Sequence, residues 1–113
     1  EAPEAQSPSG GGKPFYISTA IHYTNGPPHL GHAYEAIFAD VLARYQRLVS
    51  GRGSSGRVLF STGTDEHGQK IAASAAKLGI EPIRLCERYV ESFKTLYRKL
   101  NISHNKWVRT SSP

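Results

Sequence analysis

The apolar positions of this chain fall into blocks with two different spacings. Phe15-Tyr16-Ile17-Ser18-Thr19-Ala20-Ile21 is aromatic and β-branched, and it stops before Asn25-Gly26-Pro27-Pro28. That pattern predicts a buried strand running into a turn. From about Gly31 to Val49 the spacing becomes helical, with Ile37, Val41, Tyr45 and Leu48 in one stripe and Tyr34 and Phe38 beside it. Asp40 and Arg44 are spaced as an i,i+4 pair. Val58-Leu59-Phe60-Ser61-Thr62 predicts a second strand, again ending in a polar turn, Gly63 to Gly68. A second helix is expected from about Gln69 to Leu78, with Gly79 as its stop. Pro82 suits the first turn of a third helix. Its buried face would be Ile83, Cys86, Tyr89, Val90, Phe93, Leu96, Tyr97 and Leu100, and Asn101 would end it. Trp107-Val108-Arg109-Thr110 can open a further strand.

The resulting order is β-α-β-α-α-β, without internal repeats. Both polar turns lie at the carboxyl ends of strands, where open α/β sheets bind ligands. The fold class is therefore α/β with a parallel sheet. Two or three short strands cannot cover both sheet faces well, so residues 14–113 are expected to be the first half of a larger domain. Residues 1–13 (EAPEAQSPSGGGK) lack large apolar side chains and read as a flexible leader. Ser50 to Gly56, rich in Gly and Ser, reads as a surface loop.

Composition narrows the partners. Fourteen Lys+Arg against nine Asp+Glu give a formal charge of +5, which favours polyanions such as nucleotides and RNA. The mean hydropathy is −0.44, and no apolar stretch approaches the roughly 20 residues of a membrane span. The leader has no apolar core of a secretory signal, so a secreted or membrane protein is not expected. The single cysteine, Cys86, excludes an intrachain disulfide and a four-cysteine zinc site, and its place on an apolar helix face predicts a core residue.

The chemistry concentrates in Pro28-His29-Leu30-Gly31-His32, at the junction of strand, turn and helix. Imidazoles three apart at a helix start share a face, beside backbone N–H groups without intrahelical partners. Such a helix end attracts a polyphosphate, to which the histidines can donate hydrogen bonds. Gly31 lets a flat ring approach the backbone closely. The run is neither a P-loop nor a Gly-x-Gly-x-x-Gly fingerprint. A zinc-binding His pair is a rival reading, but too few further ligands accompany it. Asp65, at the end of the next strand, is suited to a substrate ammonium, because charge-assisted bonds are the strong ones. Glu66 and His67 lack metal-ligand spacing and are expected to order that turn.

The strand, the Pro-containing turn and the histidine motif together resemble the HIGH signature of class I aminoacyl-tRNA synthetases. The run from Ala20 to His32, and Phe60-Ser61-Thr62-Gly63-Thr64-Asp65-Glu66-His67-Gly68-Gln69-Lys70-Ile71, are similar to the methionyl-tRNA synthetase family. Leu100 to Ser103 and Trp107 to Thr110 also resemble it. The resemblance covers about Phe15 to Pro113. It implies a Rossmann-like nucleotide-binding catalytic core, of which this chain would be the amino-terminal half.

For individual residues, the resemblance implies that His29 and His32 hold ATP phosphates and stabilise the adenylation transition state. It places Gly31 under the adenine and Glu35 near the nucleotide. Ile21 and Tyr23 would line a methionine pocket, with the Ala20 backbone beside the substrate, and Asp65 would bind the methionine ammonium. The implied partners are methionine, ATP with Mg2+, tRNA(Met) and the remainder of a longer polypeptide, in the cytoplasm or an organelle. The family's K-M-S-K-S loop, its connective region that can carry zinc, and its anticodon-binding domain are not in this sequence. A segment of this extent is expected to be inactive alone. His22 departs from the family's usual residue, which leaves open the selectivity near Tyr23. Other readings of the residues are a synthetase for leucine or valine, a nucleotidylyltransferase, or a non-catalytic nucleotide- or RNA-binding module.

Overall fold

A computed structural model describes residues 13–50 and 57–113; the predicted leader, apart from Lys13, and most of the predicted Ser50–Gly56 loop lie outside these residues. The elements are β1 (Phe15–Ser18), β2 (His22–Tyr23), α1 (Leu30–Val49), β3 (Val58–Asp65), α2 (Gln69–Leu78), α3 (Pro82–Lys99) and β4 (Lys106–Arg109). All strand pairings are parallel, and β3 is central. One edge of β3 pairs first with β1 (Phe15 opposite Val58) and then with β2 (Tyr23 opposite Asp65). Its other edge carries β4, with Thr64 opposite Arg109.

The sequence predicted one strand from Phe15 to Ile21, and the structure splits it in two. Thr19 N–H still reaches the ladder at Ser61 O, but Ala20 N–H turns to the Glu35 carboxylate on α1 at 2.7 Å. Pairing then resumes at His22. The interruption thus arises where a helix side chain takes a backbone donor from the sheet.

Helix α1 sits on the sheet through Ala36, Ala39 and Ala43, against Val58, Phe60, Phe15 and Ile17. Alanine lets the helix approach closely. The apolar stripe of Ile37, Val41, Tyr45 and Leu48, with Tyr34 and Phe38, lies on the exposed side instead. Buried Asp40 receives Arg44 Nε at 2.7 Å and the Ser103 N–H at 2.7 Å, tying α1 to the segment after α3. Phe93 and Tyr97 of α3 are fully buried, and Tyr97 and Ile102 complete the core on that face. Ile83, in contrast, is exposed, while Leu85 joins Cys86, Ile71 and Ala75 in a second cluster. Gly79 ends α2 with a left-handed φ of 65°, and Pro82 opens α3.

On the opposite sheet face, Tyr16, Leu59 and Val108 are exposed. Parallel sheets normally have both faces covered. Strands β3 and β4 approach so closely that a Cβ on Gly63 would lie 2.1 Å from the Val108 carbonyl oxygen. Among the described residues no helix is long and apolar enough to cross a membrane.

Candidate active site

The carboxyl ends of the four parallel strands and the start of α1 point toward the same end of the molecule, and the candidate residues gather there. His29 is the N-cap of α1, with an extended backbone. Its Nδ1 accepts the Gly31 N–H at 3.0 Å, and His32 Nδ1 accepts the His29 N–H at 3.0 Å. Two imidazoles therefore do the capping usually done by Ser, Thr or Asp and a Glu. Their ring centroids are 3.9 Å apart.

This capping fixes the tautomers. In a neutral imidazole one nitrogen accepts and the other carries the proton. Because each Nδ1 accepts a backbone N–H, each neutral ring carries its proton on Nε2, ready to donate to a ligand. Partial burial, then the neighbouring His29, lowers the pKa of His32 against an opposing pull from Glu35, which keeps the ring neutral at physiological pH. Gly31 leaves room for the His29 ring, since a Cβ there would come within 2.9 Å of His29 Cε1 and push the ring aside.

Just after β1, the two peptides that flank the Ala20 Cα are both held. The Ala20 N–H donates to Glu35, and the Ala20 carbonyl accepts the Thr19 hydroxyl at 2.8 Å. Glu35 thus contacts the strand end beside Ile21, which is exposed. His22 turns inward and is only 3% exposed. Strand alternation directs Tyr23 to the other side. There Tyr23 packs on the Ile71, Leu85 and Cys86 cluster. Gly68 has φ 126°, which demands glycine, and a Cβ there would also lie 2.7 Å from the Tyr23 hydroxyl and displace it. His22 is thereby an interior residue rather than a wall beside Tyr23. Burial, followed by the proximity of His32, lowers its pKa to about 4 against the opposing Glu35 charge.

Asp65 and Glu66 are adjacent carboxylates with opposite environments. Glu66 is fully buried at its side chain and meets Arg109 in a two-pronged ion pair, Nε to Oε2 at 2.9 Å and Nη2 to Oε1 at 2.7 Å. Burial raises the Glu66 pKa, but the hydrogen bonds and charge of Arg109, with Thr64, outweigh it and hold the carboxyl below its usual value. The Glu66 N–H donates to the Thr110 hydroxyl, and the His67 ring bonds the Thr110 carbonyl at 3.0 Å. Asp65, half-buried, forms no ion pair among the described residues. Its carbonyl accepts both the N–H and the hydroxyl of Thr24. The site therefore offers one carboxylate that accepts the His67 N–H at 3.4 Å but has no ion-pair partner among the described residues, on a turn whose other charge is already neutralised.

The structure pairs Ala20 with Glu35, His29 with His32, and Tyr23 with Asp65 across β2 and β3. The histidines and Asp65 stand on separate elements. Sequence reasoning missed Arg109, Thr110 and Tyr97 as supports of the site. The one available signal was the unexplained buried charge that a Glu beside a strand end would need to neutralise.

The family described as "tRNA synthetases class I (M)" matches residues 15–113. A methionine–tRNA ligase of Deinococcus radiodurans is 50% identical over 111 residues, which is 97% of this chain and 16% of the relative. The chloroplastic/mitochondrial methionine–tRNA ligase of Arabidopsis thaliana is 45% identical over 90% of the chain and 16% of its own length. Among solved structures, the Mycobacterium tuberculosis methionyl-tRNA synthetase bound by methionyl-adenylate superposes with a TM-score of 0.80 at 44% identity, covering 88% of this chain and 19% of that one. The chain spans about 16% of the length of the curated relatives it matches.

Proposed function

This chain belongs to the class I tRNA synthetases of the methionine family, and from that premise we propose that it is the HIGH-bearing part of a methionine–tRNA ligase. In this reading residues 14–113 are the amino-terminal half of the catalytic nucleotide-binding domain. The exposed sheet face and the exposed stripe on α1 support a larger domain around it.

One observation carries the proposal. Two imidazoles with bare Nε2–H donors cap a 20-residue helix, and a carboxylate with no ion-pair partner among the described residues stands at the end of the central strand. The first arrangement suits the phosphates of ATP, which enters with Mg2+ as substrate. The second suits the ammonium of an amino acid. His29, Gly31, His32 and Glu35 make up the nucleotide side, and Ala20, Ile21, Tyr23 and Asp65 the methionine side.

The methionine carboxylate attacks the α-phosphorus of ATP. A carboxylate-oxygen–phosphorus bond forms, the bond to the bridging oxygen breaks, and pyrophosphate leaves. A hydroxyl of the terminal ribose of tRNA(Met) then attacks the methionyl carbonyl, forming an ester as the bond to the adenylate oxygen breaks and AMP leaves. No general base is needed for the first step, since the attacking carboxylate is already ionised. The protein contributes position and charge stabilisation. Such an enzyme serves translation in the cytoplasm or an organelle.

Methionine-dependent ATP–pyrophosphate exchange in the full-length protein bearing this segment tests the reading. His32→Ala should lower the exchange rate by roughly 100-fold, the loss typical of one transition-state donor, with the KM for methionine within about twofold. Asp65→Asn should raise that KM by about tenfold or more, as expected for the loss of a charge-assisted bond. Exchange indifferent to both changes would refute the proposal.

A further inference from the structure

The interior position of His22 has a consequence that follows from counting protons. Four polar side chains form one continuous hydrogen-bonded series. His22 Nε2 lies 2.8 Å from the Tyr97 hydroxyl. Tyr97 lies 2.9 Å from the Thr62 hydroxyl, and Thr62 lies 2.7 Å from the Thr19 hydroxyl. Thr19 donates to the Ala20 carbonyl at 2.8 Å. All four side chains are buried, while Ala20 is exposed at the strand end.

Each hydroxyl has a single proton. The Thr19 proton is committed to the Ala20 carbonyl, which can only accept. Thr62 must therefore donate to Thr19. Tyr97 must then donate to Thr62, which leaves the Tyr97 oxygen as an acceptor toward His22. His22 must supply the proton from Nε2. Every bond in the series points the same way, from His22 to the Ala20 carbonyl. A neutral His22 suffices for this, consistent with its lowered pKa.

The two ends of the series lie at the two halves of the site. The His22 ring stacks on Phe93, with centroids 4.6 Å apart and planes 8° from parallel. His32 also stands edge-on to it at 5.1 Å, alongside Tyr97 and Trp107. The far end fixes the Ala20 carbonyl, in the peptide that follows the one whose N–H Glu35 holds.

We propose that His22 is a positioning residue, whose Nε2–H sets a one-way hydrogen-bond series through Tyr97, Thr62 and Thr19 that fixes the Ala20 peptide at the methionine side of the site. The inference rests on the methionine–tRNA ligase reading, because it takes the Ala20 backbone to lie against the amino acid. His22 touches neither substrate.

The test uses the full-length protein bearing this segment. Tyr97→Phe removes one oxygen from the middle of the series and keeps the ring. It should raise the KM for methionine about tenfold, leaving kcat and the KM for ATP within about twofold, because Thr62 and then Thr19 become free to turn and the Ala20 carbonyl loses its fixed donor. His22→Phe, which keeps the stack on Phe93, should do the same. The double variant should be no worse than either single one, since both cut one series. His22→Gln, which restores a donor, should recover most of the loss. A purely structural role would lower Tm and kcat without this selectivity for methionine. Folded Tyr97→Phe with an unchanged methionine KM would overturn the proposal, as would independent, multiplying effects. Imidazole 15N shifts give a readout apart from activity: His22 should show a protonated Nε2 and a bare Nδ1 at neutral pH, and the opposite tautomer would overturn the assignment. Asp65→Asn separates the two levels. If it raises the methionine KM while the His22 and Tyr97 variants do not, only the positioning role fails; if it too has no effect, the ligase reading fails.

Discussion

His29 and His32 are held by backbone groups two and three residues away, whereas the turn at Asp65 is held by side chains 43 and 44 positions distant. At the histidine corner His29 is exposed and His32 half-buried against Phe93, but the caps themselves are local to the start of α1. The carboxylate turn is buried at Glu66, whose charge is neutralised from β4 by Arg109. A site can thus join one half built from local geometry to another half built from tertiary contacts. The two halves should fail differently. Damage far along the chain should erase the carboxylate side first, and local crowding should disturb the histidine side with little loss of stability.

The sharpest way to break the contrast is Arg109→Ala. It strands the Glu66 carboxylate in the interior and should cost about 3 kcal/mol in denaturant unfolding. It should also raise the Glu66 pKa and the KM for methionine. Adding Glu66→Gln should return part of the stability, because the buried charge is gone; if the double variant is as unstable as the single, the pair does not have this role. Ala36→Leu comes next. It should overpack the seat of α1 on the sheet for about 2 kcal/mol and shift both histidines with the helix. Here the stability loss should accompany a slower adenylation rate, and a normal rate would show that the corner is independent of the seat.

Acid sharpens the comparison through a buried group. His22 is faced by His32 and Glu35 from α1 and by Tyr97 from α3. Its folded pKa of about 4 lies below the ordinary value of 6.5, so the unfolded chain binds the proton first. Stability should be constant above pH about 6.5 and fall by roughly 2–3 kcal/mol as the pH drops toward 4. His22→Phe should flatten that slope, and an unchanged slope would assign it to other groups. The smallest effect on folding should come from Gly31→Ala. Crowding the His29 ring should slow adenylation about tenfold, roughly 1.4 kcal/mol of barrier. Stability should hold within about 1 kcal/mol, because alanine favours the helix by a similar amount.

The same contrast explains what the amino-acid pattern discloses. The three helices, the order of strands and the histidine corner depend on neighbours within a turn or two, and they can be read from spacing. Gly79, Pro82 and the Asp40–Arg44 pair are of this kind. The partner of Glu66 cannot be read this way, because no local rule links residue 66 to residue 109. The break between β1 and β2 was hidden for a related reason. The residues are good strand formers throughout, and only the arrival of Glu35 from α1 removes the Ala20 donor. The inward turn of His22 is not legible either, because strand alternation alone does not say which of His22 and Tyr23 faces the interior. The outward stripe of α1 shows that periodicity identifies a face without saying what covers it.

That stripe bears on how the segment behaves as a material. Tyr34, Ile37, Phe38, Val41, Tyr45 and Leu48 line about four turns of helix with large apolar side chains in water. An exposed band of this kind makes a protein a poor colloid. Prepared by itself, the 113-residue chain should elute from a sizing column earlier as its concentration rises, and should bind dyes that fluoresce in apolar surroundings. Charged substitutions at Phe38 and Tyr45 should suppress both behaviours without disturbing the histidines, which makes them a practical route to a soluble specimen of this half-site.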